Sequence, residues 1–258
     1  MLTKARPMLL TLLMTVLFVS TAVSSGSAAC IAPNVGGTAG LPPSAAGCEY
    51  LPAPGQLMHI LPPALPAGVG INIDPVLFGP PWNITEAPGG SLGGHTQTYD
   101  AVLEMQMSGT GALLGFNRNI FMQVSVVTES APRNPGDAVQ PFAAEMVSLS
   151  GQLFGDPDFD NLGIVAGVGQ GQPVAPGFTQ LTRLGPAGSD FQVDSFFDIT
   201  YKIDFQGAPG SILDGFGGPT TGTIRLQIGN PIPEPTSAAM LLAGLAGIGG
   251  VMRRRQMR

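Results

Sequence analysis

Hydrophobic and polar positions alternate every two residues through long stretches of this chain, most clearly over 191–205. Phe191, Val193, Phe197, Ile199, Tyr201, Ile203 and Phe205 share one parity, while Gln192, Asp194, Asp198, Thr200, Lys202 and Asp204 share the other. A strand turns successive side chains to opposite faces, so this period predicts a half-buried strand, bent or crossing two sheets. The stretch 99–107 repeats it, with Tyr99, Ala101, Leu103, Met105 and Met107 set against Asp100, Glu104 and Gln106. Further strands are expected over 120–128, 144–154, 162–168, 178–184 and 222–228. Between the two chain ends no segment keeps a helical period. Short strands separated by Gly and Pro, with no helices between them, predict an all-β fold, an antiparallel β-sandwich over residues 97–230.

Residues 30–96 read differently, with 12 Pro and 12 Gly in 67 positions. Such spacing interrupts helices and central strands, so extended loops are expected there, with at most a short strand over 69–73 or 75–78. Both chain ends are apolar. Residues 8–23 follow Lys4 and Arg6 and precede Ser27, Ala28 and Ala29, which reads as a signal peptide over 1–29 with cleavage after Ala29. Near the other end, 17 uncharged residues over 236–252 precede Arg253, Arg254 and Arg255. That length is the short limit for a transmembrane helix, and the arginines mark its cytoplasmic side.

Charge follows the same division. The total of −6 splits into +2 over 1–29, −12 over 30–235 and +4 over 236–258. An acidic exported part carries no electrostatic footprint for nucleic acid, so DNA and RNA binding are excluded. Cys30 and Cys48 are the only cysteines, and in an exported chain a disulfide between them is expected. Lipidation of Cys30 is the alternative, although Ser27 stands where a lipid-modified cysteine usually has Leu.

At the C-terminus, Pro233, Glu234 and Pro235, a short Gly- and Ala-rich apolar helix and the cluster Arg253, Arg254 and Arg255 occur in that order. This tail, residues 231–258, resembles the PEP-CTERM sorting signal. The resemblance implies a substrate of an exosortase, a membrane-embedded cysteine transpeptidase or protease of Gram-negative bacteria, with Pro233, Glu234 and Pro235 as the recognition element. It further implies passage across the inner membrane, anchoring by the C-terminal helix before processing, and residence at the cell surface or in an extracellular polysaccharide matrix. The resemblance says nothing of what the rest of the chain does.

Catalytic signatures are scarce. His59 and His95 are the only histidines, and no G-x-S-x-G elbow, H-E-x-x-H helix or P-loop occurs. Gly167, Gly169 and Gly171 lack the frame of a dinucleotide fingerprint and read as a turn. Asp194 and Asp198 share a face but stand about 13 Å apart on a strand, beyond the carboxylate spacing of a glycosidase. Asp156, Asp158 and Asp160 are spaced so that a turn can fold them onto calcium, the one cofactor the sequence suggests; a solvated acidic loop is the alternative. The leading expectation is a non-enzymatic surface protein, structural or adhesive, with exosortase and extracellular polysaccharide as partners. The rival is a carbohydrate-binding module or carbohydrate-active enzyme on the same fold, with Trp82, Tyr50 and Tyr99 as candidates for stacking on sugar rings.

Overall fold

The computed structural model describes residues 29–44 and 47–232. The expected signal peptide, apart from Ala29, and the sorting residues Pro233, Glu234, Pro235, Arg253, Arg254 and Arg255 lie outside the described residues.

The described chain is all-β. Seven strands precede residue 95: β1 (Cys30–Ala32), β2 (Asn34–Val35), β3 (Thr38–Ala39), β4 (Leu51–Pro52), β5 (Met58–Ile60), β6 (Gly70–Phe78) and β7 (Trp82–Pro88). Seven follow: β8 (His95–Thr110), β9 (Asn117–Ser130), β10 (Val139–Phe154), β11 (Phe159–Ala166), β12 (Pro176–Arg183), β13 (Phe191–Gly207) and β14 (Gly217–Ile228). Among the described residues, helix is limited to single 3₁₀ turns at Gly111–Leu113 and Val168–Gln170, so no helix there is long and apolar enough to cross a membrane. The second turn falls where the three glycines were read as a turn.

Residues 30–96, expected as loops, supply strands to the same sheet, and the expected boundary at 96/97 falls inside β8. Pro75 occupies an irregularity in the pairing of β6 with β8, between Ile73 and Val76.

The twelve strands other than the β2–β3 hairpin form one antiparallel sheet rather than the two facing sheets of a sandwich. At its centre is a four-strand circuit. Ala144 and Glu145 of β10 pair with β9 and also with β12, and Leu149 to Gly151 pair with β9 and also with β11. A strand has only two edges, so β11 and β12 must share one edge of β10, end to end. They share one edge of β13 in the same way, which closes the ring β10–β11–β13–β12. Other strands flank this core. The two ends of the sheet then meet, because Leu51 and Pro52 pair with β14 while Tyr50 exchanges backbone hydrogen bonds with Phe78 of β6. Rolling the sheet up in this way pairs part of the outer edges of β6 and β14.

One parity of each long strand points into the enclosed core. Ile73, Leu103, Met105, Met122, Ile203 and Phe205 are almost wholly buried there, each contributing about 1.5–3 kcal/mol by leaving water. Tyr201 is fully buried too, and its hydroxyl accepts the His59 backbone N–H at 3.0 Å. A smaller cluster gathers Phe142, Leu181, Phe191, Val193 and Ile228 around Cys30 and Cys48.

One end of the molecule is closed by a turn used twice. After β8, Gly109 N–H donates to Phe116 C=O at 2.8 Å, and Phe116 N–H donates to Leu113 C=O at 2.8 Å. After β13, Gly207 donates to Phe216 at 2.9 Å, and Phe216 to Leu213 at 3.0 Å. Leu113 and Leu213 are thereby driven into the core. A Cβ on Gly109 would lie 1.9 Å from the Leu113 oxygen, and one on Gly207 would lie 1.8 Å from the Leu213 oxygen. Phe159 packs edge-on against both Phe116 and Phe205 beneath these turns.

Candidate functional site

The outward parity of the sheet carries the polar groups, and register places them in rows. Asp100, Ser125, Ser150, Val165 and Lys202 stand side by side across β8, β9, β10, β11 and β13. In the next row Gln152, Gly163 and Asp204 are neighbours. Serine is short and Gly163 has no side chain, so the middle of these rows is hollow while its margins are long. The result is an open cleft of about 640 Å³, with Gln123 and Gln170 completing its walls.

The cleft walls are held by local contacts. Gln170 Nε2 donates to Ser148 Oγ at 2.8 Å, Gln152 Nε2 to Asn161 Oδ1 at 3.1 Å, and Asn83 Nδ2 to Asp100 Oδ2 at 2.9 Å. Lys202 Nζ lies 3.6 Å from Asp204 Oδ2. A Cβ built on Gly163 meets only the Asp204 and Gly151 carbonyl oxygens, at 3.7 and 3.8 Å, so the space above it is open. Hydroxyl, carboxamide, carboxylate and ammonium groups together offer both donors and acceptors. Asp100 and Asp204 are four strand spacings apart, about 19 Å along the sheet. A glycosidase needs its two carboxylates within about 5 to 9.5 Å.

The residues singled out in the sequence have other surroundings. Asp156, Asp158 and Asp160 do not converge: Arg118 Nη2 pairs with Asp156 Oδ2 at 2.7 Å, and its Nη1 pairs with Asp158. Asp156 Oδ1 also accepts the Asp158 backbone N–H at 2.9 Å, while Asp160 points to solvent. The expected calcium turn is therefore a turn whose two inner carboxylates face a guanidinium. Among the described residues no group of three or more His, Cys, Asp or Glu side chains is arranged to hold a metal.

Asp198 forms a two-point ion pair with Arg225, at 2.7 Å to Nε and 2.6 Å to Nη2, and that guanidinium lies 4.2 Å from the centre of the Phe196 ring. Asp194 is buried beneath the chain as it leaves β14, so the two acids have separate structural partners. His95 Nδ1 sits 3.6 Å from Glu86, and His59 lies half-buried in β5. Cys30 and Cys48 are joined, with Cα atoms 4.8 Å apart.

The aromatic residues expected to meet sugars do not form a platform. Tyr99 is buried, Trp82 packs against the core, and Tyr50 donates its hydroxyl to Ser195 Oγ at 3.0 Å inside the fold. Burial pushes the Tyr50 phenol up to about 12, opposed by the Ser195 hydrogen bond. It also raises Tyr99, with the nearby Tyr50 adding to the effect, and raises Tyr201. Among the described residues the exposed rings are Phe121 and Phe154, at 59% and 66% exposure. The sequence marks both only as strand residues, because a period-2 pattern tells which residues share a face and not which rings stay in water.

The described chain thus forms an all-β scaffold with an open polar cleft on its outer wall. Residues 231–256, immediately beyond β14, match the PEP-CTERM protein-sorting motif. The chain therefore carries an exosortase sorting signal at its C-terminus, the mark of an exported protein delivered to the cell surface. No curated protein and no solved structure matches it.

Proposed function

We propose that this chain is a non-enzymatic component of the bacterial surface or the exopolysaccharide matrix, with a structural or adhesive role. The observation that carries the reading is the separation of Asp100 and Asp204 across the cleft. Polar groups capable of holding a ligand are present, but their carboxylates are too far apart to share one glycosidic bond. The asparagine that follows β14 by two residues is hydrogen-bonded to the sheet, so the sheet reaches almost to where the sorting match begins. After sorting, the scaffold stands at the site where its tail was cut.

The test compares cells producing the full chain with cells producing Glu234→Ala or a deletion of 253–255. The parent is expected at the surface, and both variants unprocessed in the inner membrane. Parent cells should also retain more matrix. Equal matrix retention by all three strains, or hydrolysis of polysaccharides by the parent protein, would overturn the role.

A further inference from the structure

We infer that the cleft over Gly163 binds an extended, uncharged polysaccharide chain, with Phe121 and Phe154 as its stacking surfaces. This rests on the adhesive reading above and names its ligand class and its site. Phe121 lies two residues from Gln123 along β9, and Phe154 lies two residues from Gln152 along β10, so both rings stand on the cleft's own face at one margin. Single apolar side chains left in water are ordinary, whereas a contiguous apolar patch rimmed by polar groups marks a binding surface. Here two exposed rings adjoin a hollow of hydroxyls and carboxamides.

That juxtaposition suits a pyranose chain. Its C–H faces lie against aromatic rings, and its ring edges present hydroxyls that both donate and accept. Charge selects further among polysaccharides. Asp100 and Asp204 outnumber Lys202 in the lining, and the exported part as a whole is strongly acidic, so a polyuronate would be repelled where a neutral chain is not. The cleft is open, which suits the middle of a long polymer better than an enclosed small molecule.

The experiment is affinity electrophoresis of the mature protein, produced and processed in an exosortase-bearing host. Native gels contain galactomannan, mixed-linkage β-glucan or polygalacturonate. We expect retardation by at least one neutral polymer and none by polygalacturonate. Gly163→Trp, which fills the hollow from a position with open space, should weaken the binding by about tenfold or more. The double variant Phe121→Ala and Phe154→Ala should do the same, and its changes lie on exposed side chains that folding does not need. Unchanged retardation of the well-folded double variant overturns the site. Retardation by polygalacturonate alone overturns the ligand class, and no retardation in any gel overturns both while leaving surface delivery and matrix retention to stand on their own tests. A dimer that the double variant abolishes, without polysaccharide binding, assigns the face to a second copy instead. Shortening of a polymer by the parent, lost in Gly163→Trp, supports the site and sinks the non-enzymatic role.

Discussion

The backbone N–H of Asn230 donates to Oδ1 of Asp194 at 2.7 Å, tying the chain down just as it leaves the sheet. Asp194 is buried there, and Gln192 Nε2 supports the same oxygen at 3.1 Å. Asp194→Ala leaves the Asn230 N–H and the Gln192 amide without this acceptor, at a cost of about 1–3 kcal/mol. Chemical denaturation should show a lower midpoint, and proteolysis should cut sooner around residues 229–232. An unaltered digestion pattern would mean that the tail leaves the sheet without this clamp.

The chain has three tyrosines, Tyr50, Tyr99 and Tyr201, and burial raises all of them. Each phenol holds its proton longer in the folded than in the unfolded chain. For Tyr50 the stabilisation is whole below pH 10 and is lost as pH climbs from 10 through about 12. Near-ultraviolet phenolate absorbance should therefore stay low at pH 10 and rise together with unfolding. A normal tyrosine titration of the folded protein at pH 10 would contradict this burial.

Arg118 occupies the position between Asp156 and Asp158 that a cation would take. The parent's thermal midpoint should be the same in chelator and in millimolar calcium. Arg118→Gln removes the counter-charge from two partly buried carboxylates and should cost about 1–3 kcal/mol. Part of that loss should return with calcium, because the freed carboxylates are hard oxygen ligands. A calcium-dependent rise in the parent would restore the calcium turn.

Gly109→Ala and Gly207→Ala each force a methyl group onto a leucine carbonyl oxygen in a turn whose neighbours are fully packed. Overpacking of this kind costs about 1–3 kcal/mol or more. Gly163→Ala, facing open cleft, should leave the thermal midpoint within about a degree or two. Equal melting of all three variants would show that the end turns relax freely.

The bond between Cys30 and Cys48 closes a separation of 18 residues, worth about 3 kcal/mol through the entropy of the unfolded chain. Intact mass should rise only when reduction precedes alkylation, and the reduced protein should unfold earlier. Alkylation without reduction, or a diacylglyceryl mass on Cys30, would remove the bridge.

The long strands were legible because each buries one face and wets the other: the expected 191–205 becomes Phe191–Gly207, and 144–154 becomes Val139–Phe154. The early strands were hidden. Prolines that sit at an irregularity or a strand end look, in sequence, like prolines that forbid a strand, as Pro75 and Pro88 show. The acidic turn was visible but its partner was not, since Arg118 lies some forty positions away and only the fold brings it near. The cleft depends on the absence of a side chain at Gly163, and the residues that line it, drawn from five strands, become neighbours only through strand register.

The two ends of the described chain lie beside each other: Cys30 pairs with Val193 and Ile228 pairs with Ser195, two residues along the same strand. A force carried by either end would therefore enter the sheet at one corner. Tension applied through the tail and directed along the strand axis runs along β14 and not across it. All twelve of its pairs with β13 resist that pull together in shear, instead of opening one after another like a zipper. Mechanically, the last strand is then a long lap joint, with the covalent link of Cys30 to Cys48 riveting the sheet beside it.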